Sequence, residues 1–254
     1  MKVLNPFERI SLMIFSIFSL STSSVHATTE YIKIEKNHDT IADVVHIRQL
    51  NQLKLFLNDT KQQPYNKIKA IAKNLPQCQV LSFAMNAGMY HADYSVVGLY
   101  IENSRQISSL NTQKKGFGNF FMQPNGVLAW NDQHAMIQTT QHYASSGFKA
   151  NYATQSGPML VIDGEINTSF LPQSDSLKIR NGVGVKNNEL YFVISRGKIS
   201  FYDFAKIFKD NLKIDQALYL DGSISSAYIP QAHRSDHRFN LGPIVGFVEK
   251  NSCP

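Results

Sequence analysis

Short apolar runs, each stopped by Gly, Asn or Asp, constrain this chain more than any other feature. Residues 79–85, 96–101, 126–130, 135–139 and 159–162 are too brief for stable helices and carry the side chains that suit a pleated surface. Residues 30–36 (EYIKIEK) alternate like a half-buried strand, and VVHIRQL from Val44 resembles them. Asp163-Gly164 has the form of a type I′ hairpin turn, and Asn187-Asn188 stands in the same position between VGV and LYFVIS. Only two stretches read as helices. Residues 64–75 place Ile68, Ile71 and Leu75 on one face. Residues 201–212 place Phe201, Phe204, Ala205 and Phe208 on one stripe, behind a Ser200/Asp203 capping signal. Many strands and few helices predict an α+β fold: one domain with a strongly twisted, mostly antiparallel sheet.

The length of 254 residues, 43% of them hydrophobic and 17% charged, suits one domain with a large core. Residues 28–254 are assigned to it, because no Pro/Gly/Ser-rich linker separates residues 28–79 from the rest. Residues 1–27 read as a secretory signal peptide: Lys2 and Arg9 precede an apolar run from Ile10 to Leu20, and Val25-His26-Ala27 offers a cleavage site after Ala27. The run is shorter than the roughly 18–20 residues of a membrane span, and no later segment is long enough. The expected location is therefore periplasmic or secreted. Losing Lys2, Arg9 and Glu8 lowers the formal charge of +6 by one. The remaining lysines are scattered without an aromatic-interleaved stripe, which argues against nucleic acid and fits anionic glycans or phosphate polymers. Cys78 and Cys253 could pair in an oxidising compartment or remain two buried thiols.

Four strand ends share one pattern. They are Asn86-Ala87-Gly88 after LSFAM, Gln155-Ser156-Gly157-Pro158 before MLVI, Arg180-Asn181-Gly182 before VGV, and Asp221-Gly222-Ser223 after ALYL. Glycine lets backbone approach a ligand closely, and four such corners predict a shared cleft. In it Arg180 is the expected phosphate ligand, because a guanidinium presents paired donors to phosphate oxygens. Asp221 is the expected carboxylate, as nucleophile, base or metal ligand, against a plain turn-forming role. Asn86, Gly88, Gln155, Ser156, Gly157, Asn181 and Ser223 are expected around the substrate, although the amides could equally close turns. The Gly-x-Ser-x-Gly elbow of serine hydrolases is missing, so Ser156 and Ser223 are weaker as nucleophiles than as loop hydroxyls. Asn119 and Asn125 read as turn residues, His91 as an exposed histidine and Glu102 as a solvated strand-end charge. No closely spaced cysteine pair or EF-hand spacing is present; no cofactor is required, while a divalent cation between Asp221 and a phosphate is compatible with the residues.

In order, NAGMY, GNFFMQPNG, QSGPMLVIDG, IRNGVGV, SFYDFAKIF and ALYLDGSISSAY resemble the bacterial exported branch of the phosphodiester glycosidase family, over roughly residues 80–248. That family includes the lysosomal uncovering enzyme, which removes N-acetylglucosamine from phosphate-linked mannose. The resemblance implies hydrolysis of a sugar-1-phosphodiester at the C1–O bond of a sugar-phosphate or phosphorylated glycan, releasing sugar and a phosphomonoester. A corner often written Asp-Gly-Gly-x-Ser in relatives is Asp221-Gly222-Ser223-Ile224-Ser225 here. A non-catalytic glycan-binding or phosphopolymer-binding protein on the same fold is the alternative.

Overall fold

The computed structural model describes residues 29–251 and Cys253; the expected signal segment lies outside the described residues. Its strands, numbered along the chain, form three sheets in which every pairing is antiparallel. The seven-stranded sheet runs β1 (Thr29–Lys36), β2 (Asp39–Ile47), β13 (Glu189–Ser195), β12 (Asn181–Lys186), β14 (Gln216–Tyr219), β10 (Met159–Ile162), β11 (Glu165–Ile166). A second sheet runs β16 (Arg234–Ser235), β15 (Ala227–Ile229), β4 (Gln79–Asn86), β17 (Ile244–Lys250), β3 (Leu53–Phe56). The third runs β6 (Arg105–Ser108), β5 (Tyr100–Glu102), β9 (Tyr152–Ser156), β7 (Gly126–Trp130), β8 (Ala135–Thr139). With three short helices, α1 (Ile68–Asn74), α2 (Thr140–Ser145) and α3 (Phe201–Lys206), this is the expected single α+β domain. Among the described residues no helix is long and apolar enough to cross a membrane.

The main core lies between the sheets, with Val45, Phe192 and Leu218 from the first, Leu55, Phe83 and Phe247 from the second, and Tyr100, Leu128 and Trp130 from the third. The outer face of the seven-stranded sheet is covered by α3, where Phe204 and Ala205 meet Val44, Val193 and Ala217. Its central strands are therefore buried on both faces, which is why their sequences lack polar alternation. Side chains still alternate. In ALYL, Ala217 and Tyr219 belong to the cluster under α3, while Leu218 and Leu220 belong to the inter-sheet core.

Polar pins lock the layers. Trp130 Nε1 donates to the Leu53 carbonyl at 3.1 Å, joining the third sheet to the second. Fully buried Asp43 on β2 accepts from Tyr31 Oη (2.7 Å), Arg196 Nη2 (2.8 Å) and Arg234 Nη1 (3.3 Å), joining the first sheet to β16. Residues 29–79 contribute to two of the sheets, since β1 and β2 extend one and β3 edges another.

Both hairpin turns hold, with positive φ at Asp163 (49°), Gly164 (79°), Asn187 (52°) and Asn188 (67°). Ser200 caps α3, its Oγ accepting from Asp203 N at 3.0 Å. The expected helix over 64–75 is shorter, because Pro64 and Asn66 make β-bridges and extended Lys67 donates its Nζ to the carbonyls of His237 and Phe239. The strand expected over 96–101 contracts to Tyr100–Glu102, with Val96 making a single bridge to Tyr90. Glu102 is not a solvated end charge: burial raises its carboxyl above the usual range, opposed by the Tyr100 hydroxyl that donates to it at 2.8 Å.

Cys78 and Cys253 form a disulfide that, with the Asn251 N bond to the Cys78 carbonyl (2.8 Å), ties the chain end to the start of β4. For a sequence separation of 175 residues the loop-entropy scale is about 5 kcal/mol. Cys78→Ser/Cys253→Ser is expected to lose roughly 2–5 kcal/mol in urea unfolding; a midpoint unchanged from wild type would rule out the staple.

Candidate functional site

Three sheet ends meet at one place. The chain crosses from the third sheet to the first at Ser156-Gly157-Pro158, and from the first to the second through residues 220–226. The end of β4 at Asn86 and the start of β12 at Asn181 lie beside these crossings. Backbone bonds close the junction: Tyr219 N to Pro158 O (3.0 Å), Leu220 N to Asn181 O (3.1 Å), Asp221 N to Ala87 O (3.3 Å) and Asn86 N to Ser226 O (3.1 Å).

Two buried amides hold it. Asn181 Nδ2 donates to both Asn86 O (3.0 Å) and Asn86 Oδ1 (3.1 Å). Asn86 Nδ2 donates to the Asp221 carbonyl (2.6 Å), and Asn86 Oδ1 accepts from Ser226 N (2.9 Å). Ser225 Oγ lies within hydrogen-bond distance of Asn181 Oδ1 (3.2 Å), Ile179 O (3.1 Å) and Gly222 O (3.0 Å). The backbone at Asp221 is thereby fixed from both sides, and its side chain is half-buried at the surface of the junction.

Beside Tyr219 lies a cation. Arg180 is buried, with Nε on Ile199 O (2.8 Å), Nη2 on Ser176 O (2.8 Å), Nη1 on Tyr219 Oη (3.4 Å) and its plane 3.6 Å from the Phe201 ring centre. Gly222 leaves room for the Tyr219 hydroxyl, which a Cβ at that position would strike.

Residues 79–244, more than half of the chain, match the phosphodiester glycosidase family. The chain belongs to the phosphodiester glycosidase family. An Escherichia coli (strain K12) protein described as uncharacterized protein YigE is 36% identical over 182 residues, covering 71% of each chain. Among solved structures, the zebrafish N-acetylglucosamine-1-phosphodiester alpha-N-acetylglucosaminidase catalytic domain, auto-inhibited by its pro-peptide, aligns with a TM-score of 0.60 at 12% identity. That alignment covers 88% of this chain and 84% of the zebrafish one. A hypothetical protein from Synechocystis aligns with a TM-score of 0.53 at 14% identity, over 86% of this chain and 61% of that one. At such identities the structural likenesses speak for the phosphodiester glycosidase fold.

All four sequence corners of this family member converge at the junction, but their side chains divide into two groups. Asp221 reaches its surface. Asn86 and Asn181 lie beneath it with their polar atoms engaged by protein. The geometry corrects the expectation for Arg180, whose guanidinium faces protein acceptors and an aromatic ring instead of an open cleft. Gln155 also points away: strand alternation turns it from the junction, and its amide bonds Leu99 N, Asn111 N, Asn111 O and Thr140 Oγ1 at 2.8–3.0 Å. Gly88 and Gly157 serve close packing, since a Cβ would lie 2.7 Å from Gln155 O and from Asn125 Cβ respectively. Ser156 Oγ is buried with no hydrogen-bond partner among the described residues. Ser223 lies in the short turn Gly222–Ile224. Asn125 closes a turn as expected, donating to Phe120 O (3.2 Å), and exposed His91 accepts from Tyr94 N in another. No group of three His, Cys, Asp or Glu side chains converges among the described residues.

Three junction residues carried no clear sequence signal. Tyr219 and Ser225 flank Asp221 in sequence but acquire their roles only through Arg180 and Asn181. Tyr90 stacks on Tyr94 (5.7 Å between ring centres) and donates to Asn240 O (2.8 Å). Burial pushes Tyr90 up to about 12, with the Asp221 carboxylate adding to the shift. Burial likewise pushes Tyr219 up to about 12, opposed by Arg180 and reinforced by Asp221. Burial lowers the Arg180 pKa, with Tyr219 opposing the shift.

Because the folded state holds Tyr219 neutral, its contribution is fully present below the unfolded tyrosine value of about 10 and is lost as pH rises towards about 12. The linkage is on the order of 3 kcal/mol. Thermal unfolding between pH 9 and 11.5 should show a smaller decline for Tyr219→Phe than for wild type; equal slopes would remove Tyr219 as the titrating group. Gly222→Ala should lower stability by about 1–3 kcal/mol through overpacking against Tyr219, measured by urea unfolding. Wild-type stability in that variant would show that the corner can shift.

Proposed function

We propose that this chain is an exported phosphodiester glycosidase that hydrolyses a sugar-1-phosphodiester in an envelope or extracellular glycan. The observation that carries the reading is half-buried Asp221, whose backbone is pinned where three sheets meet, next to Tyr219 and the buried guanidinium that Tyr219 contacts, inside the span that matches the family. The zebrafish enzyme whose fold this chain shares is named for N-acetylglucosamine, which makes that the first sugar to try.

In the proposed reaction the C1–O bond breaks with its electron pair passing to the phosphate oxygen. Water supplies the hydroxyl at C1, and the products are a sugar and a phosphomonoester. Glycoside hydrolysis commonly uses two carboxyl groups, one of them an acid for the leaving oxygen. A phosphomonoester, with a second pKa of about 6, leaves with much less help. Asp221 then serves as nucleophile or as base for water. Arg180 acts through its field: a cation in a low-dielectric interior favours a substrate phosphate at the junction without touching it. Asn86 and Asn181 are positioning residues, since catalysis needs its groups held within about half an ångström.

Asp221→Asn preserves shape and removes the charge. Sugar release from an N-acetylglucosamine-1-phosphodiester by purified protein should fall roughly 10²–10⁴-fold in this variant, with its melting temperature near wild type. Turnover at the wild-type rate in Asp221→Asn would overturn the assignment. No turnover by wild type, together with undiminished glycan-phosphate affinity in Asp221→Asn, would favour the binding-protein alternative.

A further inference from the structure

Six large apolar side chains stand exposed among the described residues, and four of them, Phe117, Leu171, Leu177 and Ile179, sit on two loops beside the junction. Scattered exposed apolar residues are ordinary; such a concentration beside a candidate site is not. Phe117 is fully exposed between two glycines, with Gly118 at φ +92°. Leu171 is 68% exposed.

The bases of both loops are fixed against the site. After Phe117 the chain buries Phe120, whose carbonyl accepts from Asn125, and Asn167 Nδ2 reaches back to Gln123 O (3.5 Å) and Met159 O (2.9 Å). Phe170 stacks on Phe201 (4.9 Å), the ring that lies under Arg180. Further along the second loop, Ser176 O accepts from Arg180 Nη2 and Ile179 O accepts from Ser225 Oγ. The apolar tips are therefore held out from rigid feet. Their charge is biased: Lys114 and Lys115 adjoin Phe117 and Lys178 lies between Leu177 and Ile179, against one acidic residue, Asp175.

We propose that these two loops dock on an anionic lipid bilayer, the apolar tips entering the headgroup–acyl boundary and the lysines meeting lipid phosphates. Membrane-surface binding of this kind combines buried apolar area with attraction to anionic headgroups. Protruding single side chains flanked by lysines suit a bilayer better than a protein partner, whose interfaces are depleted in lysine. The proposal rests on the phosphodiester reading only for its consequence: Asp221 would then meet sugar phosphodiesters displayed at a membrane.

The test is co-sedimentation of the chain from Thr28 onward, which holds every described strand and lacks the apolar run from Ile10 to Leu20. Vesicles of phosphatidylglycerol and phosphatidylcholine are compared with phosphatidylcholine alone. Wild type should partition onto the anionic vesicles and be released by salt. Phe117→Ser/Leu171→Ser should reduce partitioning at least tenfold, and Lys114→Gln/Lys115→Gln should reduce it roughly fivefold per lysine. Failure of wild type to bind anionic vesicles, leaving the rim to a protein partner, would overturn the proposal. So would wild-type partitioning by the Phe117→Ser/Leu171→Ser protein. Hydrolysis of a soluble sugar-1-phosphodiester by that same variant is expected to match wild type, so loss of the Asp221 activity and loss of vesicle binding are read separately.

Discussion

The pairing of Asn86 with Asn181 is the interaction on which the junction depends. Each side chain sits at the end of a strand in a different sheet, where the backbone leaves its ladder and needs new partners. A carboxamide can donate and accept at once, so two of them link both strand ends to the backbone of residues 221–226 without introducing buried charge. An apolar pair would fill the space but leave Asp221 O and Ser226 N without their side-chain partners, at a cost of about 1–3 kcal/mol for each buried group.

Arg180 contributes differently. Its guanidinium is spread over an aromatic face and three acceptors, which offset the expense of burying a cation. The same contacts fix its position. The phenol of Tyr219 contacts this cation and feels the opposing influence of the Asp221 carboxylate, with Gly222 keeping its space clear.

Much of the architecture was legible because its signals are local. The strands at 126–130, 135–139 and 159–162 stand where apolar runs end in turn residues, and the hairpins at Asp163-Gly164 and Asn187-Asn188 follow from residues that tolerate positive φ. The helix over 64–75 was overestimated because tertiary contacts at Lys67 override periodicity. The convergence of four corners could be inferred from their shared pattern, but not the direction of each side chain. Gln155 and Ser156 are neighbours with opposite environments, and only strand alternation within the assembled sheet turns Gln155 away. Arg180 looked like a phosphate ligand because its residue type suits phosphate; its burial depends on Phe201 and Ser176, which are distant or unmarked in sequence.

The departure from Asp-Gly-Gly-x-Ser takes on physical meaning at this junction. Gly222 cannot carry a side chain without striking Tyr219, and Ser225 Oγ lies within hydrogen-bond distance of Asn181, Ile179 and Gly222, so the first glycine and final serine form the frame of the corner. The intervening position, Ser223, belongs to a short turn whose ends those two residues already fix. A change from glycine to serine there adds a hydroxyl-bearing side chain while the frame that fixes Asp221 is retained. Variation at this position therefore leaves the frame that fixes the Asp221 backbone in place.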